Sequence, residues 1–215
     1  MLIINIHKPI GWTSFDVVKK VRTITKEKKV GHGGTLDPFA EGVLIVGTGK
    51  DTKALGNITH FDKSYTAILS LGVSTDTLDI EGEINNRGDV PKLTKKGINL
   101  VLNSFLGKKK QIPPMYSAKK INGTRLYKLA RKNIEVHRNP IEIFIRSIEL
   151  INFSKHLIEF SVICSKGTYI RVLGKDIANK LGTIGHLTSL IRTQVGHYSI
   201  DESLTIKSFM DQWKS

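Results

Sequence analysis

The sequence predicts an α+β fold, and three observations carry that expectation. Helical and strand-like patterns alternate irregularly, unlike the regular βα alternation of a doubly wound parallel sheet. Two β-rich runs, IEIFIRSIELI and HLIEFSVICS, follow one another between Pro140 and Ser165. No internal repeat or low-complexity linker divides the 215 residues, a length suited to one large domain or two small ones.

Each element has its own signal. Leu2 to His7 reads as a short strand with a turn at Lys8-Pro9. Thr13 or Ser14 can cap the next helix, with Asp16 in its first turn. Phe15, Val18, Val21 and Ile24 recur there at helical spacing. A glycine-rich loop leads to a buried-strand run at Val43 to Val46, and Lys50 to Phe61 reads as a helix. Tyr65 to Leu71 alternates like a half-buried strand, and an acidic, turn-rich piece, STDTLDIEGE, follows. Thr94 to Phe105 is helical: Ile98, Val101, Leu102 and Phe105 share a face, and Gly107 is placed to close it. The next stretch is strongly basic and contains Asn122-Gly123, a hairpin signal. Tyr169 to Leu181 reads as a helix, Thr193 to Ile200 as extended chain, and Leu204 to Trp213 as a final helix.

Composition narrows the function. The 33 basic residues outnumber the 19 acidic ones for a net charge of +14. A field of that sign draws polyanions, and counterion release favours a phosphate backbone. The single cysteine, Cys164, excludes an internal disulfide and a cysteine-based zinc site. The seven histidines form no HxH or HxxxH pair, so no metal is expected. No window approaches the roughly 20 apolar residues of a membrane span. The start, MLIINIHKP, has neither a basic n-region nor a cleavage site, so a cytoplasmic protein is expected.

Two nucleotide motifs fail on inspection. GTGKDT has Leu44 where a P-loop needs glycine and Asp51 where it needs a hydroxyl. GHGGTL has Leu36 at the third glycine position of a dinucleotide fingerprint. What remains is Asp37, set between Leu36 and Pro38 after Gly31, Gly33 and Gly34. Pro38 biases Asp37 toward extended backbone, and a buried strand follows. Asp-Pro pairs are ordinary turn-formers, but a constrained loop beside a rigid strand is also where a functional carboxylate is held.

Further motifs decide between those readings. NIHKPIGWTSFDVVKKV, GHGGTLDPFAEG, DKSYTAILSLGVSTDTLDIEG, QIPPMYSAKKINGTRLYKLAR, CSKGTYIRVLGKDIANKLG and GHLTSLIRTQVG occur in that order. Together they resemble the bacterial tRNA pseudouridine synthase B (TruB) family along essentially the whole chain. The resemblance implies the pseudouridine synthase fold, a central mixed and largely antiparallel sheet flanked by helices and loops. It implies conversion of uridine 55 to pseudouridine in the T loop of tRNA, without a cofactor. By the same resemblance Asp37 matches the catalytic aspartate, and Tyr65 the tyrosine that stacks on the target base. Tyr169 matches a second active-site tyrosine, and Arg171 the arginine that pairs with the aspartate. His32 matches a histidine that helps hold the T loop, and Leu190 an apolar residue lining the base pocket. Asp79 matches an acidic residue that competes for the arginine when RNA is absent. Taken singly, each of these side chains has an ordinary packing or surface explanation.

Gly33 departs from the family's usual threonine, and Glu41 from a small or polar residue. Residues 1–215 are expected to form one catalytic domain without the PUA domain that usually follows. The expected partner is the tRNA T stem-loop. No membrane association, obligatory protein partner or oligomer is expected. Two other readings compete: a non-catalytic RNA-binding module, and a guide-RNA-dependent relative of the box H/ACA catalytic subunit. Retention of Asp37, Tyr65 and Arg171 argues against the first, and the bacterial look of NIHKPIGWTSFDVV against the second.

Overall fold

The computed structural model describes residues 2–121 and 123–214, with the side chain of Lys214 excepted. The chain divides into two compact units, Met1–Thr66 with Leu190–Ser215, and Ala67–Ser189. Two strands, β4 (Lys63–Leu71) and β12 (Gly185–Val195), belong partly to each.

The first unit is organised around β3 (Glu41–Thr48), where every residue from Gly42 to Thr48 is buried. Strand β1 (Ile3–Lys8) pairs with it antiparallel, Ile6 opposite Leu44. Strand β2 (Val30–His32) pairs antiparallel, and β12 parallel with Arg192 opposite Gly42. Strand β13 (Tyr198–Ser199) extends β12 as a hairpin. A strand buried on both faces needs a cover on each. Leu44 and Val46 pack with Ile4, Ile6 and the Val17, Val18 and Val21 face of α1 (Ser14–Thr25). Val43 and Ile45 pack on the other face with Leu55 and Ile58 of α2 (Leu55–Ile58).

The second unit carries the strand order β12-β4-β11-β10-β7. Strands β10 (Ile141–Phe153) and β11 (Leu157–Cys164) form the long antiparallel hairpin expected from the two β-rich runs. Strand β7 (Gly107–Gln111) flanks β10 antiparallel. Helix α3 (Lys95–Asn103) packs on β10 and on α5 (Ile170–Lys180). The acidic piece lies between β5 (Val73–Thr75) and β6 (Ile84–Arg87), which pair with each other. In the basic stretch β8 (Lys120–Ile121) pairs with β9 (Thr124–Arg125), and α4 (Leu126–Ala130) follows. Those flanks agree with the Asn122-Gly123 hairpin signal, although Asn122 itself lies outside the described residues. The chain ends in α6 (Ile206–Lys214), which packs on β1 and α1.

The expected cap of α1 is present, whereas several other expectations need correcting. Helix α1 is capped by Thr13 in a reciprocal capping box with Asp16. Its buried face runs through Val17, Val18 and Val21, leaving Phe15 exposed beneath Lys19. The helix foreseen over Lys50 to Phe61 is two short turns, a 3-10 stretch at Gly49–Lys53 and then α2. Thr52 and Thr59 hydroxyls donate to the carbonyls of Gly49 and Gly56, bonds that compete with a continuous helix. Gly107 does not close α3, which is capped at Ser104; with φ at +80° it opens β7. Extended chain starts eight residues before Thr193, at Gly185. Consecutive burial of Gly185, His186 and Leu187 hides the two-residue period there.

Candidate active site

Within the first unit, Asp37 lies on the loop joining β2 to β3. The Gly33 N–H donates to the Ile45 carbonyl over 2.8 Å. Gly34 then turns with φ at +137°, in the region that favours glycine. The Asp37 carbonyl accepts from Ala40 N–H at 3.2 Å, closing a turn over Pro38-Phe39. So the turn expected of an Asp-Pro pair is present, and the backbone makes it.

Three side chains from three elements hold the rest of the loop. The Ser14 hydroxyl donates to the Leu36 carbonyl at 3.0 Å and accepts from the Leu36 N–H at 2.8 Å. The Pro38 carbonyl accepts from the Gly11 N–H at 2.8 Å and from Lys8 Nζ at 3.3 Å. Lys8 is fully buried and also donates to the carbonyls of Trp12 and Pro9 at 2.6 and 2.9 Å. Arg192, 2% exposed, donates to the carbonyls of Gly34 and Thr35 at 3.2 Å each and to that of Val43 at 2.7 Å. Every carbonyl from Gly34 to Pro38 therefore accepts a bond. Charged donors make the stronger ones.

Sequence reading missed Lys8, Ser14 and Arg192, yet two carried a signal. Lys8 falls in phase with Ile4 and Ile6, and Arg192 with Leu190, on strands of period two. A cation in register with a core face must find acceptors there, because burial without them is costly.

The other first-unit candidates sit on regular structure. His32 ends β2, and its Nδ1 accepts a long bond from Gly34 N–H at 3.4 Å. It lines an open groove of about 380 Å³ with Lys29, Thr52, Lys53 and Gly56. Tyr65 is buried on β4 and Leu190 on β12.

The second unit holds Asp79, Tyr169 and Arg171. Tyr169 caps α5. The Gln111 side-chain amide fixes it by accepting from its N–H at 2.8 Å and donating to its carbonyl at 3.1 Å. Arg171 follows in the first turn of α5, 4% exposed. It is ion-paired with Asp79, Nη1 to Oδ2 3.3 Å, and donates to the carbonyls of Thr77 at 2.6 Å and Tyr116 at 2.8 Å. Asp79 accepts from the Thr77 hydroxyl at 2.6 Å and the Glu81 N–H at 3.1 Å. Leu78 takes φ of +65° just before it, a costly conformation for leucine. Tyr116 donates its hydroxyl to Asp76 at 2.9 Å; that bond, with partial burial, pushes the phenol above its ordinary value. Tyr116 thus ties the basic stretch to the Arg171–Asp79 pair.

Among the described residues no group of three or more His, Cys, Asp or Glu is placed to hold a metal ion. No helix among them is long and apolar enough to cross a membrane.

Comparison with known proteins then decides the family. The sequence pattern of the "TruB family pseudouridylate synthase (N terminal domain)" matches residues 22–170. The chain belongs to the TruB family. This TruB-family chain is 50% identical over 211 residues to the tRNA pseudouridine synthase B of Clostridium perfringens, covering 98% of this chain and 72% of that protein. It is 48% identical over 202 residues to the enzyme of the same name from Dehalococcoides mccartyi, covering 94% and 67%. Among solved structures it resembles a chain in the crystal structure of a Cbf5-Nop10-Gar1 complex, with a TM-score of 0.77 and 31% identity. It also resembles a chain in an H/ACA RNP bound to a substrate RNA containing 2'-deoxyuridine, with a TM-score of 0.71 and 28% identity. It spans 55% and 52% of those two chains. The matched span includes His32, Asp37, Tyr65, Asp79 and Tyr169; Arg171 falls just beyond it and Leu190 well beyond it.

Proposed function

We propose that the chain converts uridine to pseudouridine at position 55 in the T loop of tRNA, with Asp37 as the essential carboxylate. The observation that carries this reading is the loop itself. In a TruB-family chain half identical to a curated tRNA pseudouridine synthase, one aspartate sits where every neighbouring carbonyl is bonded.

The reaction breaks the bond from ribose C1′ to uracil N1, rotates the base and forms a bond from C1′ to C5. The C5 proton leaves and N1 gains one, so no redox partner is required. Asp37 serves as a nucleophile at C1′, giving an acylal, or stabilises charge and moves a proton on a glycal route, on which family resemblance makes Tyr65 a proton acceptor. Both begin from the ionised carboxylate. Family resemblance assigns Arg171 to favour that charged form and Asp79 to hold the arginine when RNA is absent. Extruding the base costs a few kcal/mol, and stacking on Tyr65 returns about 1–3 kcal/mol. Tyr169 and Leu190 line the base site and His32 holds the T loop on the same reading. It treats residues 1–215 as one catalytic domain, acting in the cytoplasm as a monomer without an obligatory protein partner.

Likeness to H/ACA chains favours a guide-dependent alternative, but at 31% and 28% identity against 50% for the bacterial tRNA enzyme. One experiment separates the readings: tritium release from C5-labelled tRNA, without guide RNA or protein partner, for the native chain and Asp37→Asn. Release lost in the variant while tRNA still binds is the expected result. Equal release from both would remove Asp37 from the chemistry. No release from either, with binding intact, would favour a binding module or a guide-dependent subunit.

A further inference from the structure

We infer that Arg192 is a positioning residue for the Asp37 carboxylate. The inference rests on the reading of Asp37 as the reacting group. Arg192 reaches both ends of the loop: Nη1 and Nη2 hold Thr35 and Gly34 before Asp37, and Nε holds Val43 after it. Its own main chain is fixed where the loop re-enters the sheet. Arg192 pairs with Gly42 across the parallel β3–β12 ladder. Gly42 has φ at +105°, and a Cβ there would fall on the Arg192 carbonyl oxygen. One residue therefore sets the sheet end of the loop through its backbone and the approach to Asp37 through its guanidinium.

The planar fork is what allows this. Three donors fixed in one plane meet acceptors on two strands of chain, which a single ammonium does not span. Lysine at this position keeps the charge and releases at least one end of the loop. Loss of about 1 Å in the placement of a reacting group is enough to cost on the order of 100-fold in rate.

The test is single-turnover pseudouridine formation at saturating enzyme, with tRNA affinity and melting temperature measured on the same samples. Four proteins are compared: native, Arg192→Lys, Asp37→Asn, and Ile98→Val as a core variant in the second unit with lowered stability. Arg192→Lys is expected to lose about 10- to 100-fold in rate and keep its tRNA affinity within about twofold, while Ile98→Val keeps its rate. A loss of less than about fivefold in Arg192→Lys, with Asp37→Asn inactive, overturns the positioning role. So does a rate loss in Ile98→Val matching that of Arg192→Lys, because the effect then follows stability. Native-like turnover in Asp37→Asn would instead refute the assignment of Asp37, and this inference with it. Should Arg192→Lys not fold, Arg192→Gln is read on the same scale.

Discussion

Replacing Asp79 with asparagine should destabilise the second unit by about 3 kcal/mol, and the structure shows why. Asp79 and Arg171 are 3% and 4% exposed with 3.3 Å between charged atoms. At an effective dielectric of about 20, a pair at that distance attracts by about 5 kcal/mol. Asparagine keeps the shape and can still accept from the Thr77 hydroxyl and the Glu81 N–H. It removes the charge and leaves the guanidinium buried. The carbonyls of Thr77 and Tyr116 still meet that guanidinium, which puts the cost near the lower end of the roughly 3–5 kcal/mol for breaking one side of a buried pair. Both tryptophans, Trp12 and Trp213, belong to the first unit. Urea unfolding is therefore best followed by far-UV circular dichroism, with hydrogen exchange on α5 to report the second unit. A loss below about 1 kcal/mol with an unchanged m-value would refute the argument. A double-mutant cycle with Arg171→Met isolates the pair, and coupling of at least about 1.5 kcal/mol is expected.

Other perturbations test other parts of the molecule. Gly42→Ala combines a positive φ with overlap on the Arg192 carbonyl, so a loss of about 2–5 kcal/mol is expected in thermal unfolding; a change under about 0.5 kcal/mol would contradict it. Thr13→Ala removes the capping box of α1 and should cost about 1 kcal/mol, read by tryptophan fluorescence. Burial raises the Asp176 carboxyl above its ordinary 3.8, outweighing Lys175 and Lys180. The folded state then holds that proton more tightly than the unfolded one, so the stability it contributes is present at low pH and lost as pH rises through the raised value. Asp176→Asn should therefore be more stable than the native chain at pH 7 and lose that advantage near pH 3; equal effects at both would contradict the sign.

Residues whose environment is set by neighbours in sequence were legible in advance. The capping box of α1 spans four residues, and the β10–β11 hairpin carries its own apolar runs. The acidic and glycine-rich motifs were legible because their order in the chain is distinctive. Long-range partners were not. Ser14 reaches Leu36 across 22 positions, Gln111 reaches Tyr169 across 58, and Arg192 reaches Gly34 across 158. Strand phase marks Arg192 as inward-facing but names none of its partners, and nothing local distinguishes Ser14 or Gln111 from a surface residue of the same type. The basic composition also misled in one respect. Read as an electrostatic surface, it hid Lys8 and Arg192, which are fully and nearly buried.

Those buried cations point to a division of labour within the chain. Lys8 and Arg192 donate to main-chain carbonyls around Asp37, whereas Arg171 is matched by the carboxylate of Asp79. Bonds to the main chain hold a loop whatever side chain it carries. A salt bridge behaves differently. Its strength depends on the charge of both partners, and competition from another anion can shift it. A nucleic acid brings many anions. On the proposed function, the rigid half of the machinery is therefore built from carbonyl bonds that RNA cannot disturb. The half that responds to RNA is built from an ion pair, tied through Tyr116 to the basic stretch.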